Sequence, residues 1–187
     1  MTANASVVPR WTVGTWRIDP VHTHIGFVIK HMGVSRVRGR FKEFAGTIVT
    51  AENPLESSAE ATIVASSIDT GNEMRDGHIA SADFFDAENH PEFTFASTGV
   101  RLNGHQWFLD GNLTMRGVTQ PVTLDMEVPE FGEPDDSGQR KAGFAAETTV
   151  NRQDWGISYN GPIPGGGVVL ASKVRLVVEI EADLVTD

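Results

Sequence analysis

The chain has 187 residues, of which 40% are hydrophobic and 21% charged, enough for one domain with a substantial core. Its 25 acidic and 15 basic residues leave a formal net charge of -10, which argues against nonspecific nucleic-acid binding and against electrostatic docking on anionic lipid. With no cysteine, disulfides, thiolate-metal sites and thiol nucleophiles are excluded, and no stretch approaches the roughly 20 apolar residues that a membrane-spanning helix needs.

The opening MTANASVVPRWTVG lacks the basic region and apolar run of an export signal. Residues 1–14 are therefore expected to form a flexible arm, and the protein to be cytoplasmic and not stably inserted in a membrane. Trp16 opens the first ordered segment. Ile25, Phe27 and Ile29 alternate with Gly26, Val28 and Lys30, the pattern of a strand with one apolar face. Val37, Gly39 and Phe41 alternate in the same way with Arg36, Arg38 and Arg40. Thr47–Thr50 extends the sheet, Asn53-Pro54 marks a turn, and Ala59–Ile68 reads as a further strand.

Residues 70–86 break the period of two. Thr70 and Glu73 have capping-box spacing, and Met74, His78, Ala82 and Phe85 recur near helical period, which predicts a short amphipathic helix or a broken pair of turns. Strands resume at Glu92–Val100, at Trp107–Met115 and, after a turn at Arg116-Gly117, at Val118–Val128. An acidic loop at 132–138 precedes a strand at Ala142–Val150, and the loop NGPIPGGG at 160–167 precedes the last one. That last segment, Val168–Leu184, alternates for its whole length, with apolar residues at nearly every even position. Long one-sided strands suit a tall curved barrel. About eight of them, joined by short turns, predict a single-domain, all-β, extended antiparallel lipocalin-like barrel with a short helix near its opening. A barrel of that size can hold one small ligand or be filled by its own side chains, and alternation alone leaves both readings open.

Four groups of residues could carry chemistry. His22 and His24 point the same way on a strand and could share a metal, as the paired histidines of a cupin-like enzyme do, but they share parity with Lys30 and so lie on the predicted solvent face. Arg75-Asp76-Gly77-His78 could be an acid–base set, a helix-stabilising ion pair or a polar recognition group beside an apolar cavity. Arg152 and Asp154 could form a buried pair, serving as a corner brace or a head-group contact. Arg36, Arg38 and Arg40 share one strand face and read as a solvated outer surface or as a phosphate contact. No nucleophile elbow or phosphate-binding glycine motif is present.

Several ordered motifs carry a family resemblance. Trp16-Arg-Ile-Asp-Pro-Val-His-Thr leads into Ile25-Gly-Phe-Val-Ile-Lys-His31, and Gly39-Arg-Phe41 follows. Ser67-Ile-Asp-Thr-Gly71, Arg75-Asp-Gly-His78, Asp83-Phe-Phe-Asp86, His90-Pro91 and Phe93-Thr-Phe95 come next, then Gly111-Asn-Leu-Thr-Met-Arg-Gly117 and Asn151-Arg152 with Gly156. Together they resemble the YceI-like family over about residues 15–185. The resemblance implies an extended lipocalin-like barrel that binds a polyprenyl or quinone-type isoprenoid lipid in an apolar tunnel, without catalysis or a cofactor. It also implies export in many members and pairing as a homodimer in some. On that reading Phe27, Ile29, Phe41, Phe95, Leu113, Met115, Met126 and Phe144 are candidate wall residues. Arg75, His78 and Arg152 are candidates for the head group or rim, and His31, Phe85 and Trp155 complete the expected ligand-binding set. A metal-dependent enzyme using His22 and His24, or a solid barrel serving as an interaction module, are the alternatives.

Overall fold

The alternating C-terminal segment becomes the longest strand of the molecule. In the structure, a computed structural model that describes residues 8–186, β12 runs Leu170–Leu184 and is 15 residues long, about 50 Å of extended chain. It starts two residues later than its alternation suggests, because Val168 forms a bridge to Pro162. The remaining elements are β1 (Gly14–Ile18), β2 (His24–His31), β3 (Ser35–Phe41), β4 (Phe44–Thr50), β5 (Ser58–Val64), β6 (Ile68–Asp69), α1 (Glu73–Ala80), β7 (Glu92–Asn103), β8 (Gln106–Met115), β9 (Val118–Met126), β10 (Glu130–Phe131) and β11 (Lys141–Asn151).

Every strand pairing is antiparallel, and the order β11-β9-β8-β7-β5-β4-β1-β12 returns to β11, closing an eight-stranded barrel with no free edge around that ring. β12 is tall enough to pair with β1 along its lower part and with β2 along its upper part. β2 then pairs with β3, and β3 with β6. The two halves of each bent strand are joined where the chain leaves the ladder at 19–23, 42–43 and 65–67. Two of these joints are closed by backbone bonds, Lys42 N to Ser67 O at 3.1 Å and Val64 N to Glu43 O at 2.9 Å.

The inward rows take large residues, and glycine faces the largest rings. At Gly39 and Gly111 an added Cβ would lie 2.6 Å from the Phe27 ring and 2.4 Å from the Phe95 ring, respectively. Glycine there lets each aromatic lie flat across the neighbouring strand.

The lower end of the barrel is filled. Trp16, Ile48, Trp107, Phe131, Ala142 and Ala182 pack into one cluster, joined by Val8, which is 2% exposed. Trp11 lies edge-on to Phe131 with ring centres 5.1 Å apart, and its Nε1 donates to Ala51 O at 2.9 Å. Trp16 Nε1 donates to Thr50 Oγ1 at 2.8 Å, and that hydroxyl donates to Thr12 O at 2.7 Å. Within the expected flexible arm, Val8, Trp11 and Thr12 therefore pack or bond against the barrel. Val8 is buried and Trp11 half-buried against the barrel, while residues 1–7 lie outside the described part of the chain.

At the upper end α1 is capped by Asn72, whose side chain accepts from Arg75 N, rather than by the Thr70–Glu73 box that spacing suggests. Thr70 is engaged elsewhere: its hydroxyl donates to Asp76 and accepts from Arg75 Nε at 2.7 Å. No helix among the described residues is long and apolar enough to cross a membrane.

Candidate functional site

The barrel is hollow above its plug. The interior holds a cavity of about 810 Å³, within the roughly 300–1,000 Å³ typical of small-molecule sites. Its walls are overwhelmingly apolar. They are built from the inward rows of β2, β7, β8, β9, β11 and β12, with Phe41 and Phe85 stacked 6.0 Å apart under α1. The mouth lies between the start of β3, the inner side of α1 and the chain around Tyr159 to Gly161, where Ser35, Arg36, Arg75, His78 and Asn160 bring polar groups to the lining.

Phe27, Ile29, His31, Phe41, Phe85, Phe95, Leu113, Met115, Met126 and Phe144 all line this space, as do Arg75, His78 and Arg152. Trp155 is the exception. The turn Arg152–Trp155, capped by Asn151, carries its ring into a cluster with Phe84, Leu113 and Ile157. There it is 2% exposed and its Nε1 donates to Leu113 O at 3.0 Å. Trp155 is thus a brace between this turn and β8, not a cavity-lining residue.

The polar groups differ in how far they are already engaged. Arg75 spends Nε and Nη2 on the hydroxyl and carbonyl of Thr70. His78 Nε2 is 2.8 Å from Asp83 Oδ2, and its ring stands edge-on to Phe84 and Tyr159 with centres 5.1 and 5.0 Å away. Tyr159, the chain's one tyrosine, was invisible as a mouth residue in sequence because it belongs to no periodic segment. Arg152 is different. It is 4% exposed, donates Nε to Ala171 O at 3.0 Å and Nη1 to Ile157 O at 2.6 Å, and leaves Nη2 buried without a partner. Among the described residues no carboxylate pairs with it, so the expected Arg152–Asp154 pair is not formed. Burial alone pushes its pKa down, although a guanidinium keeps its charge. Nη2 is closed off from solvent and cavity alike, so Arg152 braces this turn through its two backbone bonds.

His22 and His24 stay on the outside of the barrel and do not form a donor pair. The one cluster of three metal-capable groups among the described residues is Asp19, His22 and Glu181, without His24. His22 Nδ1 lies 2.7 Å from Asp19 Oδ2, and Lys141 Nζ bonds Glu181 at 2.8 Å and Asp183 at 2.9 Å. Hydrogen bonding to Asp19, with the Glu181 charge nearby, raises the His22 pKa, while bonds to Glu181 and Asp183 raise that of Lys141. An ammonium seated on these carboxylates supplies the countercharge that a cation would bring, so the cluster reads as an ion-pair network.

Comparison with known proteins agrees with this architecture. The profile of the YceI-like domain matches residues 16–182. A UPF0312 protein of Staphylococcus epidermidis is 38% identical over 167 residues, covering 89% of this chain and 95% of its own. Among solved structures, BcnA of Burkholderia cenocepacia superposes with a TM-score of 0.73 at 23% identity, covering 88% of this chain and 98% of its own. A polyisoprenoid binding domain from Saccharophagus degradans, implicated in plant cell wall breakdown, superposes with a TM-score of 0.63 at 14% identity, covering 93% of this chain and all of its own. The chain belongs to the YceI-like family.

Proposed function

We propose that the barrel binds a long isoprenoid lipid, with the prenyl tail in the apolar tunnel and the head group beside Arg75, His78 and Arg152, which line the same space. The observation that carries this is an apolar cavity of about 810 Å³ with Ser35, Arg36, Arg75, His78 and Asn160 bringing polar groups to its mouth. The tail supplies affinity by burial, at about 0.8 kcal/mol per enclosed methylene, and the methionines Met115 and Met126 adapt to its shape. The polar groups at the mouth supply selectivity, because a prenyl hydrocarbon without an oxygen offers them no hydrogen-bond partner. The activity is sequestration or carriage rather than bond-making.

Native mass spectrometry of freshly purified protein, followed by organic extraction, tests the reading. A prenyl lipid at about one per chain is expected. Arg75→Ala should still retain prenyl hydrocarbon tails while losing preference for a quinone or phosphate head. An empty wild-type protein that refuses added prenyl lipids would refute the proposal.

A further inference from the structure

The net charge of -10 conceals a local reversal. The outer faces of β3, β2 and β12 bring Lys30, Arg36, Arg38, Lys173 and Arg175 around one shallow depression beside the mouth, which Thr149 of β11 completes. Register places them together: Lys30 faces Arg36, while Val28 faces Arg38 on one side and Arg175 on the other. Arg175 is partnered by Glu147 at 3.2 Å, and among the described residues Lys30, Arg36, Arg38 and Lys173 have no ion pair.

Directly above this patch the barrel ends in bare apolar tips. The turn joining β2 to β3 exposes Met32 at 45% and Val34 at 88%, and Val168 beside it is 53% exposed. Met32 N bonds Val169 O at 2.8 Å, so the two tips are neighbours. Met32 also has φ 50 and Gly33 φ 73, left-handed turn positions where Asn and Gly are favoured. Folding stability gives no reason to place an exposed methionine there.

We infer that this end of the barrel is a docking face for an anionic lipid bilayer. Lys30 and Arg36 stand two residues from the tips, about 7 Å along a strand. Interfacial protein surfaces sink their apolar side about 5–10 Å into the boundary between head groups and acyl chains. With Met32, Val34 and Val168 at that depth, the cations lie level with lipid phosphates. The remaining surface is acidic and is repelled by the same membrane, which orients the mouth toward the bilayer. A nucleic acid fits less well, because the patch carries no aromatic side chain on which a base could stack. Docking stands on this surface alone; that it serves loading of the cavity rests on the lipid-binding reading.

The test is flotation of the full chain with vesicles of phosphatidylcholine alone or mixed with phosphatidylglycerol. Binding to the mixed vesicles only, weakening with added salt, is expected. Lys30→Gln/Arg38→Gln/Lys173→Gln should lower it roughly 100-fold, from the typical worth of a cation at an anionic surface, and Val34→Ser/Val168→Ser should also lower it. Val21→Ser, which alters an apolar residue 80% exposed elsewhere, should not. Loading of prenyl lipid from detergent micelles, where no bilayer is present, should be unchanged in all three variants. Wild-type protein that loads from micelles but ignores anionic vesicles overturns the docking face, as does retention on heparin without vesicle binding. Vesicle binding that follows these substitutions in a protein that never loads lipid supports the face and refutes the cavity reading instead.

Discussion

Substitution of Ala146 by Trp gives the sharpest test of how the tunnel is used. Ala146 lies in the inward row of β11 with Phe144 and Val150, and pairs with Val178 of β12. Val178 is eight residues along β12 from Leu170, which lines the mouth, so the new indole sits about 26 Å down the wall. It separates the upper tunnel from the deep part lined by Trp107, Phe144 and Ile180. The ring enters open space, so the stability cost should fall below the roughly 1–3 kcal/mol of overpacking a filled core. Each isoprene unit excluded from the deep part forfeits about 4 kcal/mol of burial relative to water, counting roughly five methylene equivalents at about 0.8 kcal/mol each. Against a micelle the loss is much smaller, because the free tail is already out of water. The informative assay is therefore competition between prenyl lipids of different lengths, read by extraction and mass spectrometry. Bound tails should become shorter while head-group preference stays the same. An unchanged length distribution would refute the placement of the tail in the deep tunnel.

Thr50→Val should leave the buried Trp16 indole without an acceptor, at about 1–3 kcal/mol; at roughly 2–4 °C per kcal/mol for a chain of this size, thermal denaturation should show a loss of several degrees that Thr50→Ser does not share. His22 should titrate above its ordinary value by NMR, held protonated first by the Asp19 bond and then by Glu181. Its small contribution to stability is full below about 6.5 and is lost as pH rises through the raised value, and Asp19→Asn should bring the titration back down. Asp110 is held down to about 2 by hydrogen bonds from Arg101 and then Thr123. That pair's contribution is present above about 3.9 and is lost as pH falls toward about 2. Because the pair is largely solvated, it amounts to about 1 kcal/mol or less, and Asp110→Asn should flatten that part of the acid unfolding curve.

Much of this was legible because inward and outward parity is a local property. The even row of the last segment and the alternation around Phe27, Phe95 and Leu113 assign the inside of the barrel without any tertiary information. What was hidden depends on register or on distant packing. Val8 and Trp11 belong to a segment too short for periodicity, and only the open lower end of the barrel gives them something to cover. Trp155 sits in a motif that suggests ligand contact, but the turn after β11 decides where its ring points. Asn72 competes with Thr70 for the helix cap, and Asp76 and Arg75 settle the contest by engaging Thr70. The orphan donor on Arg152 exists because Ala171 and Ile157 satisfy only two of its nitrogens, which no sequence pattern records. The basic patch is assembled across three strands, so a net charge summed along the chain does not reveal it.

The plugged floor has a kinetic consequence. A tube open at both ends can be emptied by the next molecule pushing through, but this vessel is stoppered by Val8, Trp16 and Phe131. If the barrel takes a lipid as proposed, its occupant would have to back out through the aperture it entered, drawing its tail past the Phe41 and Phe85 rings while water refills the space behind it. Dwell time would then scale with tail length, and unloading would need an acceptor waiting at the rim to grip the head.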